Sequence, residues 1–380
     1  MSVSNKVVCV IGTRPEAIKM APVILKLKEI QPALNPVVLA TGQHTHMLHQ
    51  ALAHFNITPD YDLRIMKERQ SLDHITSEVL KGVGAVLDDL KPSLVLVHGD
   101  TTTTFGSALS AFYRKIPVGH VEAGLRSRDI LIPFPEEMNR VLTDQITTLW
   151  FAPTIGAYNN LVAVGADQSR IFLTGNTVID ALMLTMKELP LQPSLSELRD
   201  IPDNAPVLLM TAHRRESWGE PLDNLCRAVK DIFTRNKQLW GIIPMHKNPL
   251  VRETISRVLS EESRIVLTEP LDYPDFVWAM NRCRIILTDS GGIQEEATAL
   301  KRPVLVMRDV TERPEAYESG TAILVGRQSE RIKIEALRLL EDSVYYSSIV
   351  NNSQNPFGDG TASEKIVHEL TEFLRYKSTH

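Results

Sequence analysis

The sequence predicts an α/β protein built from two Rossmann-like, doubly wound domains facing a central cleft. Three observations carry this. Short apolar runs (VVCVI, PVVLA, SLVLV, PVGHV, then PVLLM, GIIPM, RIVL, RIILT and PVLVM) are each followed by a longer segment with helical spacing, an alternation that implies parallel sheets covered by helices on both faces. The runs fall into two series, divided by the proline-rich connector LPLQPSLSELRDIPDNAP at 189–206. In both series, charged and small polar residues stand directly after the runs, where open α/β sheets hold their ligands. With 380 residues there is room for two filled cores. The domains are expected at 1–172 and 173–362, with a terminal helix at 363–380 that can pack on either, including back on the N-terminal one.

VVCVI ends at Gly12 and feeds a helix through TRPEA. Such a corner offers amides and the positive end of a helix dipole to an anion, and Arg14 and Lys19 would add full charges. A capping box with proline in the first turn also explains Thr13, Pro15 and Glu16, but it leaves Arg14 without a task. Three spaced glycines would mark a dinucleotide site; only Gly12 occurs here, which argues for phosphate or carboxylate binding and against a nicotinamide cofactor.

After PVVLA, the DYD at 60–62 resembles an Asp-x-Asp metal motif, but NITP before it does not read as a strand, and metal binding is not expected. His44, His46, His49 and His54 lack a carboxylate or cysteine at metal spacing and are assigned to a helix and its entry loop. SLVLV leads to His98 and Asp100 in HGDTTTT, whose threonines read as the capped start of a helix. PVGHV leads to Glu122 in HVEAGLRS, and Glu136 follows in PFPEE. Three carboxylates thus come from separate corners toward one crevice. RIFLTGNTVIDAL, ending at Leu182, closes the first series.

In the second series, MTAHRRE places His213, Arg214 and Arg215 after a strand. LTDSGGIQEEA puts Ser290, Gly291 and Gly292 at the start of a helix, the most explicit anion site in the chain: glycines allow close approach, and the helix end and hydroxyl supply donors. Glu296 lies within reach of a ligand held there and can accept two neighbouring sugar hydroxyls, while Glu295 is the better candidate for a solvated position. ERPEA at 312–316 echoes TRPEA and puts Arg313 before another helix. Acids gather in one series and phosphate-type donors in the other, a layout that describes a nucleoside diphosphate with its remaining group facing the acids. Trp218, Trp240 and Trp278 are expected in the core, and SEKIVHELTEFLRYK reads as an amphipathic terminal helix.

Composition narrows the class. The apolar share of 43% and charged share of 23% are ordinary for a globular protein. A net charge of -5 gives no general attraction to nucleic acid or anionic membrane. The sequence shows no membrane span and no signal peptide, so a cytoplasmic protein is expected. Cys9, Cys226 and Cys283 have no metal or redox spacing and read as reduced structural thiols.

In order and spacing, IGTRPEAIKMAP, HGDTTTT, HVEAGLRS, PEEMNR, GNTVIDA, HRRES, LTDSGGIQEEA and VMRDVTERPEA closely resemble the non-hydrolysing UDP-N-acetylglucosamine 2-epimerase family, over nearly the whole chain. The resemblance implies two Rossmann-like domains arranged as in one large class of glycosyltransferases. It also implies a homodimer and interconversion of UDP-GlcNAc and UDP-ManNAc without metal or nicotinamide. The family's course is elimination of UDP to 2-acetamidoglucal, followed by its return with protonation of the opposite face. By motif match, Asp100, Glu122 and Glu136 are the acid/base groups. Arg14, Lys19 and His213 match positions associated with the diphosphate and catalysis. Ser290, Gly291, Gly292, Glu296 and Arg313 match the UDP site, with Phe276 and the Leu271 segment near the base; some relatives have glutamine at the place of Leu271. Some bacterial members bind a second UDP-GlcNAc as an activator. Its positions match Gln43, Arg69, Gln70, Arg214 and His246, together with His46, where relatives usually have glutamine or glutamate. Two other readings are a UDP-sugar glycosyltransferase of the same fold, which would need an acceptor site in place of three acids, and a non-catalytic nucleotide-sugar sensor, which would be expected to have lost acids.

Overall fold

The structure, a computed structural model, describes residues 5–42, 45–65, 67, 70–212, 218–309, 313–352 and 354–379. The chain forms two compact units: Met1–Leu184 together with Phe357–His380, and Thr185–Pro356. The division falls inside the helix Thr177–Lys187, later than residue 172, and the chain re-enters the first unit before residue 362.

The first unit holds a parallel sheet of strands β1 (Lys6–Ile11), β2 (Asn35–Ala40), β3 (Tyr61–Asp62), β4 (Leu94–His98), β5 (Val118–Val121), β6 (Leu149–Ala152) and β7 (Ile171–Leu173), in the order β3-β2-β1-β4-β5-β6-β7. The second unit repeats the plan with β8 (Val207–Thr211), β9 (Trp240–Pro244), β10 (Ile265–Thr268), β11 (Ile285–Thr288), β12 (Val304–Val306) and β13 (Ala322–Leu324), in the order β10-β9-β8-β11-β12-β13. The order reverses between β1 and β4 and again between β8 and β11, which makes those strand ends the switch points where ligands bind. The apolar runs of the sequence are β1, β2, β4, β5 and β8 to β12. Apart from the edge strand β10 their burial is near-continuous, and complete for β4, β5, β8, β11 and β12, as a strand covered by helices on both faces requires.

In the first unit, Val8, Val10, Val95 and Val97 meet Val79, Val83 and Leu87 of the helix Leu72–Leu90, which is capped by the Ser71 side chain accepting from His74 N. In the second, Leu208, Met210, Ile285 and Leu287 meet Val229, Ile232 and Phe233 of the helix Glu220–Arg235. Each such side chain contributes about 1.5–3 kcal/mol on burial. All three cysteines are free and buried, and burial pushes each thiol up to about 12. Trp218, Trp240 and Trp278 are only partly buried, contrary to expectation; Trp150 is the buried tryptophan.

The helix Ala362–Thr379 buries Ile366, Val367, Leu370 and Leu374. Its start is held by Asp180, whose carboxylate accepts from Ala362 N (3.2 Å), Ser363 N (2.7 Å) and Ser363 Oγ (2.6 Å). Lys26 pairs with Glu364 at 3.1 Å. These partners all lie in the first unit.

Candidate active site

The corner after β1 is closed by the protein itself. Glu16, in the first turn of the helix Arg14–Glu29, accepts from Gly12 N (2.8 Å), Thr13 N (2.7 Å) and Thr13 Oγ1 (2.9 Å), and from Thr101 Oγ1 (2.6 Å) and Thr104 Oγ1 (3.0 Å). The amides that the sequence reading offers to an anionic ligand therefore already hold an internal carboxylate. Burial raises the Glu16 pKa and these hydrogen bonds oppose it. A Cβ on Gly12 would come within 2.3 Å of Thr103 Oγ1 and 2.8 Å of Thr41 Oγ1, so this glycine serves internal packing. Arg14 is half-buried.

Lys19, one turn further, is buried and pairs with Glu122 at the end of β5. Glu122 also accepts from Asn176 Nδ2 at 2.8 Å, and its backbone sits at φ 65°, a left-handed conformation rare for glutamate and the kind of local strain that gathers at functional sites. His98 Nε2 lies 3.7 Å from Glu122 Oε2. Burial, opposed by the neighbouring Glu122 charge, pushes the His98 imidazole down to about 4, so it is neutral at physiological pH. Among the described residues neither of its ring nitrogens has a hydrogen-bond partner.

Asp100 follows β4 through Gly99, whose φ of 68° suits glycine. A Cβ on Gly99 would stand 4.0 Å from Glu122 Oε1, so the corners of β4 and β5 adjoin. Asp100 pairs with Arg140, which also holds Glu137, and its carbonyl accepts from Asn139 Nδ2 at 3.0 Å. Arg140 and Asn139 belong to the helix Glu136–Ile146, whose first residue is Glu136. The loops of all three acids are thereby tied together within one unit. Thr101 caps the following helix, its side chain accepting from Thr104 N at 3.2 Å, as the threonine run predicts.

In the second unit, Ser290 is the N-cap of the helix Gly291–Ala299, with Ser290 N donating to Thr288 Oγ1 at 3.0 Å. Among the described residues outside its own helix turn, a Cβ on Gly292 would meet no atom within 4 Å, so they give no packing reason for glycine at that point. Glu296 is buried and accepts from the Tyr273 hydroxyl at 2.8 Å. Glu295, expected to be the solvated one, is 1% exposed and pairs with Arg313 at 2.5 Å, because the helix turns it toward the segment before Pro314–Glu318. Leu271 is buried, and Phe276 is half-buried on the helix Tyr273–Arg282.

His46 is exposed on the helix Thr45–His54, which also carries His49 and His54. Gln70 accepts from Lys67 N at 3.1 Å. His246, exposed after β9, accepts from Asn248 N at 3.2 Å. Gln43, Arg69, His213, Arg214 and His44 lie outside the described residues. The DYD segment does contain a strand, β3, with Asp60 accepting from Val38 N at 2.7 Å and Asp62 from Arg64 Nε at 3.1 Å. Sequence reasoning missed Asn176 and Arg140, although both stand inside motifs it quoted, GNTVIDA and PEEMNR.

The two repeated parallel sheets, an acid-lined corner in one and a glycine-serine helix start in the other define a two-domain protein of the kind that handles sugar nucleotides. The UDP-N-acetylglucosamine 2-epimerase family matches residues 26–371. The Salmonella typhimurium UDP-N-acetylglucosamine 2-epimerase is 47% identical over 373 residues, covering 97% of this chain and 99% of that relative. The Neisseria meningitidis UDP-GlcNAc 2-epimerase, solved bound to UDP-GlcNAc, superposes with a TM-score of 0.89 at 46% identity, covering 97% of this chain and 100% of that one. The Methanocaldococcus jannaschii UDP-GlcNAc 2-epimerase, solved with UDP-GlcNAc and UDP, gives a TM-score of 0.82 at 34% identity, covering 97% and 99%. The chain belongs to the UDP-N-acetylglucosamine 2-epimerase family.

Proposed function

We propose that this chain interconverts UDP-N-acetylglucosamine and UDP-N-acetylmannosamine by removing UDP from C1 and the proton from C2, then returning UDP with a proton on the opposite face of the sugar. The observation that most supports this is the Glu122 corner: a buried carboxylate, held in a strained backbone by Lys19 and Asn176 and adjoining the Asp100 turn. A C2 proton has no carbonyl beside it in the ring, so it becomes removable only as departure of UDP builds positive charge at C1. A positioned carboxylate can then act as base. Inversion needs acid/base groups on both faces, and Asp100, Glu122 and Glu136 fill them, with His213 assisting.

The start of the helix Gly291–Ala299 holds the diphosphate through Ser290, Gly291 and Gly292, with Arg14 and Arg313 adding charge; Glu296 takes the ribose hydroxyls and the Leu271–Phe276 segment the base. A second UDP-GlcNAc, bound through Gln43, His46, Arg69, Gln70, Arg214 and His246, activates the enzyme by favouring its reactive conformation. The protein works as a homodimer in the cytoplasm. No helix among the described residues is long and apolar enough to cross a membrane.

The test is incubation with UDP-GlcNAc alone in deuterium oxide, followed by proton NMR. UDP-ManNAc carrying deuterium at C2, formed without added metal or NAD, is expected. Product that keeps its original hydrogen overturns the mechanism, and no product overturns the function.

A further inference from the structure

His120, on β5 two residues before Glu122, is fully buried. Its Nδ1 lies 2.7 Å from Asp144 Oδ1 and its Nε2 lies 2.7 Å from the Gly99 carbonyl oxygen. A carbonyl can only accept. Burial pushes the Asp144 carboxyl upward, but His120 and Arg126 hold it below the usual range, so it is ionised and also only accepts. Both ring nitrogens thus face acceptors, so both are placed to donate. The other oxygen of Asp144 forms an ion pair with Arg126 Nη2 at 2.7 Å and accepts from Gly124 N at 3.3 Å, both from the loop that carries Glu122. Gly124 packs closely there: a Cβ would come within 2.3 Å of the Ala157 carbonyl oxygen.

One buried carboxylate thus links two loops and a helix. Through His120 it holds the turn that presents Asp100; through Gly124 and Arg126 it holds the loop of Glu122; and it sits on the helix that Glu136 begins. We propose that the His120–Asp144 pair is a positioning device for the reaction, a charged bolt that fixes the relative placement of the three acids without touching substrate. The idea rests on the functional reading above. A misplacement of about 1 Å at reacting groups can cost on the order of 10²-fold in rate while leaving binding made elsewhere intact.

The test uses the whole protein with its histidines labelled with nitrogen-15, together with His120→Gln and Asp144→Asn. In the unsubstituted protein the His120 ring is expected to show both nitrogens protonated at pH 7.5, and in Asp144→Asn this signature should be lost. His120→Gln keeps a donor for one partner only, and is expected to lower kcat for UDP-GlcNAc by about 10–10²-fold while KM and UDP affinity change less than about threefold. A singly protonated ring in the unsubstituted protein overturns the proposal even if a variant fails to fold. Full kcat in folded His120→Gln, or kcat and KM worsening together, overturns it as well. If the unsubstituted protein does not epimerise UDP-GlcNAc, the functional reading fails separately, and the ring spectrum still decides whether the bolt exists.

Discussion

The corners after β1 and after β11 share one local plan, an apolar strand ending at a polar turn with glycine and feeding a helix, yet they are finished in opposite ways. After β1 the amides of Gly12 and Thr13 are taken by Glu16, and Gly12 is walled in by Thr41 and Thr103. After β11, a Cβ on Gly292 would meet none of the described residues outside its own helix turn within 4 Å. What separates the structural corner from the one proposed to bind is thus whether the protein supplies the anion itself. The closed corner then has a different use: its helix delivers Lys19 to Glu122, two strands away across β4.

The comparison breaks most visibly in turnover. Replacing Glu122, Asp100 or Glu136 by its amide should lower kcat by about 10² to 10⁴ with UDP affinity nearly unchanged, because the proposed acids belong to the first unit and the proposed diphosphate contacts centre on the corner after β11. Rate assays with calorimetric UDP binding check this, and near-normal turnover in any of the three makes that residue structural.

Next comes acid stability. His98 is held neutral at about 4 against an ordinary 6.5, so the folded state binds fewer protons than the unfolded chain, and stability rises with pH across that window. The contribution, on the order of 3 kcal/mol, should be complete above pH 6.5 and lost as pH falls toward 4. Denaturation curves from pH 4 to 7 should be flatter for His98→Asn than for the unsubstituted protein; parallel curves would mean that His98 is not the group responsible.

Gly12→Ala should then cost about 1–3 kcal/mol of stability through overpacking against the threonines, read as a lower Tm. The smallest effect is expected from Gly292→Ala: an unchanged Tm and UDP affinity weaker by about tenfold, one charge-assisted hydrogen bond's worth. If the two glycine variants exchange phenotypes, the distinction between closed and open corners is wrong.

Much of the fold could be read from the sequence because parallel strands buried on both faces are continuous apolar runs. Strands β3, β6 and β13 escaped; the two residues of β3 carry too little pattern to stand out. The acids were visible because strand ends are where such groups matter, and because their motifs match a family. Side-chain direction was not. Whether Glu295 or Glu296 turns inward depends on what faces the helix, and the sequence reading reversed the accessibility of Glu295 for that reason. The capping box read at Thr13 and Glu16 is present, but the further bonds that fill the corner need Thr101 and Thr104 brought over from the next strand's end. His120 and Asp144 are 24 residues apart and meet only when the helix after β5 folds back along the sheet.

The tether between Asp180 and the start of the last helix has a consequence for synthesis. The first unit receives its final helix only after residues 185–356 have left the ribosome. Until then Asp180 lacks its partners and the apolar face that later receives Ile366 and Leu370 stays open. The nascent protein therefore passes through a stage in which the second unit can be complete while the acid-bearing one is still waiting for its closing segment, and any chain cut short before Phe357 would carry every proposed acid on a unit that cannot finish folding.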